Sequence, residues 1–200
     1  MKIFRTLPLG PLALLGVLPL LAGCIEVLGA GVGAAGVAVV QERSVGRAID
    51  DSGINLAITG KFLEASPTLF KSVDDHVVEG RVSLTGSVKN PDDRVEAARL
   101  VWQVAGVREV QNEVQVENKS GFADYASDVR ITTAIVSKLL FERNVSQINY
   151  TIETVNGVVY VMGIARDAAE RDLVIQIART TGAVKRVVNH ALLKDDPRRR

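Results

Sequence analysis

The sequence is short of the residues that most often carry chemistry. Its 200 residues include one cysteine and two histidines, His76 and His190. A lone cysteine excludes an intramolecular disulfide, and so few His and Cys supply neither a structural zinc site nor a catalytic triad with a choice of bases. Aromatic residues make up only 4%, too few for a base-stacking nucleic-acid surface. An excess of one charge is missing as well. The 24 Lys and Arg against 23 Asp and Glu leave +1, so no global field steers the chain toward polyanions. The apolar run from Leu7 to Leu21 is broken by Pro8, Pro11 and Pro19 and falls short of the ~20 residues a spanning helix needs. What remains, 47% hydrophobic and 24% charged, is ample for a packed core. Catalysis, a bound metal and nucleic acid are all disfavoured at the outset.

The N-terminal run reads as an address. Lys2 and Arg5 precede it, and it ends in Leu21-Ala22-Gly23-Cys24, which resembles the bacterial lipobox. Small residues before the scissile bond fit a narrow peptidase cleft, and the Cys24 thiol can carry a thioether-linked diacylglycerol, with an N-acyl chain on the new terminus. Residues 1–23 are therefore expected to be a lipoprotein signal peptide, and the acyl groups at Cys24 are the one attached group expected, with no other cofactor. Ile25 in place of Asp after the cysteine resembles lipoproteins sorted to the outer membrane. Residues 24–47 are expected to be a Gly/Ala-rich tether. Gly29, Gly31, Gly33 and Gly36 disfavour an isolated helix, yet the segment is too apolar for a solvated linker. A second membrane-apposed stretch and a domain-docking segment both fit it.

The rest is one unit written twice, at an ungapped offset of 77 residues. Asp51, Ile54, Ala57, Ile58, Lys61 and Leu63 fall on Asp128, Ile131, Ala134, Ile135, Lys138 and Leu140. Val78, Gly80, Val82, Gly86, Arg94 and Asn112 fall on Val155, Gly157, Val159, Gly163, Arg171 and Asn189. Each copy reads helix, strand, strand, helix, strand. The spacing predicts first helices over 50–65 and 127–142, and Glu79-Gly80 and Asn156-Gly157 mark tight hairpins. Second helices start at Pro91-Asp92-Asp93 and Asp167, because Pro suits the first turn and acids suit the positive dipole end. The expected fold is α+β, two αββαβ units with a three-stranded mixed sheet and both helices on one face, the crossover right-handed. Their boundaries are 48–117 and 127–195, with a linker over 118–126 and a basic tail over 196–200.

Two such units, each with a Gly after an apolar strand (Leu84-Thr85-Gly86, Val161-Met162-Gly163), resemble BON domains. Together with the lipobox and Arg43-Ser44-Val45-Gly46 ahead of Asp50-Asp51, they resemble the dual-BON outer-membrane lipoproteins of Gram-negative bacteria. The resemblance implies a non-enzymatic protein facing the periplasm, recognising anionic phospholipid through its second unit and supporting envelope integrity. A scaffold for another envelope protein complex is the alternative.

Local charge fits a division of labour. Residues 48–117 hold seven basic and twelve acidic side chains, and residues 126–200 hold twelve basic and eight acidic. A basic second unit suits an anionic bilayer, and opposite charges equally suit docking of the two units on each other. On the first helix of unit two, Ile131, Ala134, Ile135 and Lys138 share one side, with Leu139 at its edge, while Val129, Thr133, Val136 and Leu140 form a second stripe. That stripe, bordered by Arg130 and Lys138, is the candidate phospholipid-binding surface; packing against unit one or the tether is the competing reading. Arg130 stands where related lipoproteins often carry an aromatic before Ile-Thr-Thr. The carboxylates Asp74, Asp75, Asp92 and Asp93 are expected near loop ends and helix starts, and Pro197-Arg198-Arg199-Arg200 is expected to be solvated.

Overall fold

The computed structural model describes residue 42, residues 44–117 and residues 122–199, and within them the repeat becomes two copies of one fold. In the first copy α1 (Val45–Ala65) and the short α2 (Pro67–Ser72) precede β1 (Val73–Val78), β2 (Arg81–Val88), α3 (Pro91–Val101), β3 (Glu109–Asn112) and β4 (Gln115–Val116). In the second, α4 (Phe122–Phe141) leads to β5 (Tyr150–Val155), β6 (Val158–Ala165), α5 (Ala168–Arg179), β7 (Arg186–Asn189) and β8 (Leu192–Leu193). Each sheet is mixed: β2 pairs antiparallel with β1 and parallel with β3 and β4, and β6 does the same with β5, β7 and β8.

The α+β expectation holds, with several corrections. The last strand of each unit is broken in two, and the break has a local cause. The Asn112 side chain accepts from Val114 N at 3.3 Å, and its repeat partner Asn189 accepts from Ala191 N at 3.0 Å, so a side-chain turn replaces one step of the ladder. The expected tether, 24–47, gives way to helix at Val45, where the Ser44 hydroxyl caps Arg47 N. The expected linker, 118–126, gives way to α4 at Phe122. Gly86 and Gly163 lie inside β2 and β6 rather than at their ends. The first 44 residues other than Glu42 and Ser44 lie outside the described residues, so the signal, Cys24 and most of the tether do as well.

Both cores follow from the spacing. Ile54, Ile58 and Phe62 lie on Val77, Val82 and Leu84, with Ala97, Leu100 and Val101 of α3 beside them. Ile131, Ile135 and Leu139 lie on Ile152, Val159 and Val161, with Val174 and Ala178 of α5. The two-residue hairpins have positive φ at both turn positions, 54° and 75° at Glu79 and Gly80, 52° and 78° at Asn156 and Gly157, as a type I′ turn requires. A buried aspartate on each first helix holds its turn. Asp51 accepts from Glu79 N and Gly80 N at 2.8 and 2.9 Å, and Asp128 from Asn156 N and Gly157 N at 2.6 and 2.8 Å.

The faces turned away from the helices meet each other. Arg81, Ser83 and Thr85 of β2 are buried there, as are Tyr160, Met162 and Ile164 of β6. Thr85 Oγ1 donates to Glu153 at 3.3 Å, and Gln115 Nε2 donates to Val155 O and to the Tyr160 hydroxyl at 3.0 and 3.2 Å. Glu113 and His190 touch at 3.0 Å and are 77 positions apart, so this contact joins equivalent sites of the two repeats, as expected near a pseudo-twofold axis. Within the basic tail Arg199 is docked rather than solvated, while Arg198 stays exposed. Arg199 bonds both carboxylate oxygens of Glu79 at 2.9 Å, and Glu79 also pairs with Arg47. A guanidinium fork matches a carboxylate, and Glu79, deep in the hairpin turn, is held below the usual carboxylate range by these arginines against the opposing effect of its burial.

Candidate functional site

Helix α4 presents the candidate surface, and the structure keeps part of the expected set. Val129, Thr133 and Leu140 are exposed along one stripe. Arg130 borders it, exposed, with its Nε on Ala126 O at 3.3 Å. Val136 is half-buried and packs on the second core, because it lies only ~60° around the helix from the core residue Leu139. Lys138 is displaced from the stripe. It lies toward α5, where its Nζ donates to Thr181 Oγ1 at 2.9 Å. Two aromatics join instead: Tyr125 is 68% exposed and Phe141 83%, beside Leu140 at 65%. Both were legible in the sequence: Tyr125 stands one turn before Val129, and Phe141 directly follows Leu140. With the helix boundary set at 127, Tyr125 fell outside it.

A cleft of about 660 Å³ opens beside the stripe. Tyr125, Val129 and Thr133 form one wall, Glu153 and Asn156 the floor, and Lys71, Asp74 and Ser87 of the first unit the other wall. The corresponding position across the pseudo-axis holds only about 40 Å³, where Ile148 and Ile164 stand in place of Lys71 and Ser87. The cleft is acidic. Asp74 and Asp75 are not at a loop end but within β1, on opposite faces. Partial withdrawal from water raises Asp74, and it raises Glu153, to which the negative charge of Asp74 adds. Asp75, on the helix side, accepts from Asn55 Nδ2 at 2.8 Å, yet burial still lifts it to about 6.

Asp75 therefore sets a pH dependence. Between the unfolded value near 3.8 and about 6 the folded chain holds a proton that the unfolded chain releases. The stabilisation is complete below that window and is lost as pH rises through 6. Glu109, held near 2 by Arg81, has the opposite sign and weakens the fold only below its ordinary value of 4.5. Asp75→Asn should raise stability at pH 7.5 by about 1–2 kcal/mol and change it little at pH 4.5. Urea unfolding at the two pH values checks this; equal effects at both would contradict it.

Comparison with known proteins gives these elements a family. The BON domain model matches residues 50–118 and 127–195. The chain is 33% identical over 184 residues to the outer membrane lipoprotein DolP of Haemophilus influenzae, covering 90% of this chain and 94% of that protein. It is 37% identical over 153 residues to a protein of the gshII 5′ region of Anaplasma centrale, covering 76% of this chain and all of that one. It is 27% identical over 149 residues to osmotically-inducible protein Y of Escherichia coli, 74% of each. Two matches to the family model, each spanning a complete helix–hairpin–helix–strand unit, place the chain in the BON-domain family.

Proposed function

We propose that this is a non-enzymatic, lipid-anchored protein of the outer membrane that faces the periplasm and binds anionic phospholipid through α4 of its second unit. The observation that carries the reading is the outward stripe of Tyr125, Val129, Leu140 and Phe141 on a helix whose opposite face is already buried. Apolar rings and branched chains flanked by a cation suit the boundary between headgroups and acyl chains. Arg130 and the exposed Arg143 supply that cation. The acidic cleft repels phosphate, so a headgroup phosphate is expected on the Arg130 side of the stripe. The lipobox and the similarity to an outer membrane lipoprotein support the anchor and the location. Among the described residues no helix is long and apolar enough to cross a membrane.

The test is vesicle binding by residues 41–200. Binding to vesicles with anionic lipid, weaker in high salt and absent on zwitterionic vesicles, is expected. Leu140→Asp with Phe141→Asp should weaken it at least tenfold at any salt, since each side chain contributes ~1.5 kcal/mol or more when buried. Arg130→Glu should weaken it mainly at low salt. Wild-type binding by the folded double variant would remove this surface and favour the protein-scaffold alternative.

A further inference from the structure

The first unit carries a second unpartnered apolar face, on the side of α1 away from its core. Ile49, Leu56 and Leu63 are 67%, 73% and 59% exposed, spaced seven residues apart. Gly46, Gly53 and Gly60 recur with the same period, three residues before each of them. A Cβ added at any of these glycines meets nothing within 4 Å, so no contact among the described residues requires them. Glycine is the worst helix former after proline, and two in the interior of one helix, with a third in its first turn, ask for a reason outside the chain. Unit two lacks the pattern: Arg130 and Ser137 stand at the positions of Gly53 and Gly60, and Thr133 at that of Leu56.

A large residue and a glycine alternating every seven positions form a ridge and a row of holes that fit a second helix. The period of seven is that of two helices wound together. A lipid surface needs no holes. We propose that two copies of this chain pair through α1, antiparallel and centred on Leu56. In that pairing Ile49 lies beside Leu63 of the second copy, and the large side chains enter the glycine gaps. The charges agree with it: Asp50 comes within one residue of the level of Lys61 of the second copy on the same flank, twice over the interface. In one copy Lys61 reaches no carboxylate among the described residues, only Gln103 at 3.3 Å. The 21-residue helix, ~31 Å long, buries roughly 1,000 Å² in such a pair, at the lower bound for a specific interface, so the dimer is a weak one.

The pairing is independent of the phospholipid reading, and the experiment separates them. In the full chain with Cys24→Ser, an added cysteine is the only thiol. Under mild oxidation Leu56→Cys is expected to give a covalent dimer, because the two copies meet at residue 56, while Val95→Cys, exposed on α3, gives none. No dimer from Leu56→Cys, or as much from Val95→Cys, overturns the proposal. Gly53→Gln with Gly60→Gln fills the gaps without a clash, so the melting midpoint stays level or rises, while sedimentation should show dimer dissociation at least tenfold stronger. An unchanged dissociation constant overturns the proposal too. The Gln variant should bind anionic vesicles like wild type, and Leu140→Asp with Phe141→Asp should leave the cross-link intact.

Discussion

Gly163→Ala is expected to unfold the second unit. Gly163 lies inside β6 at φ 130°, where an L side chain is strained, and its added Cβ would stand 2.0 Å from Asn149 O and 3.0 Å from Tyr150 Cα. Those are backbone atoms at the entry to β5, so no rotamer change relieves the contact. The cost is roughly 4 kcal/mol or more, comparable with the ~5–15 kcal/mol that holds a domain together. Gly86→Ala should do the same to the first unit, its Cβ 2.1 Å from Ser72 O. Gly157→Val makes the milder contrast. It has a positive φ too, but the nearest atoms belong to the flexible Lys185 side chain at 3.1 Å. All three tyrosines lie in the second repeat, so their near-UV circular dichroism reports that unit. Loss of this signal at 25 °C in Gly163→Ala is the expected result, and an unchanged urea midpoint would contradict so close a crossing.

The sequence made the repeat legible because both copies solve the same packing problem with the same spacing. Ile131 and Ile135 declared the buried side of α4, and Asn156-Gly157 declared the turn. What escaped was interaction between distant parts of the chain. Asp74 and Asp75 look like loop residues by type, yet β1 holds them because its pairing with Gly86, Thr85 and Leu84 continues through them. Arg199 looks solvated until the first unit supplies Glu79. Lys138 was read as a cation bordering the stripe, but it shares the side of Ile131 and Ile135, and there Thr181 takes its ammonium group. The glycine pattern of α1 was visible as composition, but its meaning needed the finding that Ile49, Leu56 and Leu63 face outward. The same limit applied to the sheet faces: Tyr160 and Met162 alternate with core residues, so periodicity alone could not say that a second sheet covers them.

Asp128→Ala should couple stability to membrane binding without touching the exposed stripe. The carboxylate of Asp128 ties α4 to the tip of the second hairpin, accepting from Asn156 N at 2.6 Å and Gly157 N at 2.8 Å. Removing it leaves two amides, one of them in a fully buried glycine, without acceptors. Charge-assisted bonds of this kind contribute ~1.5–3 kcal/mol each, and with some relief from water the expected loss is about 2–4 kcal/mol. Asp128→Asn keeps one acceptor oxygen, so it should lose about half as much. The consequence for function follows from position. Asp128 and Asn156 both line the cleft beside Val129 and Thr133, so freeing the turn lets the N-terminal half of α4 shift against the sheet. In the Asp128→Ala chain at 15 °C, still folded by circular dichroism, amide exchange should quicken first at Asn156, Gly157 and the opening turns of α4. Affinity for anionic vesicles should fall at least threefold, with the Tyr125 end of the stripe losing order before the Leu140 end. Wild-type exchange at Gly157 would mean that the hairpin holds its own shape, and that the aspartate repeated in both units serves only the helix.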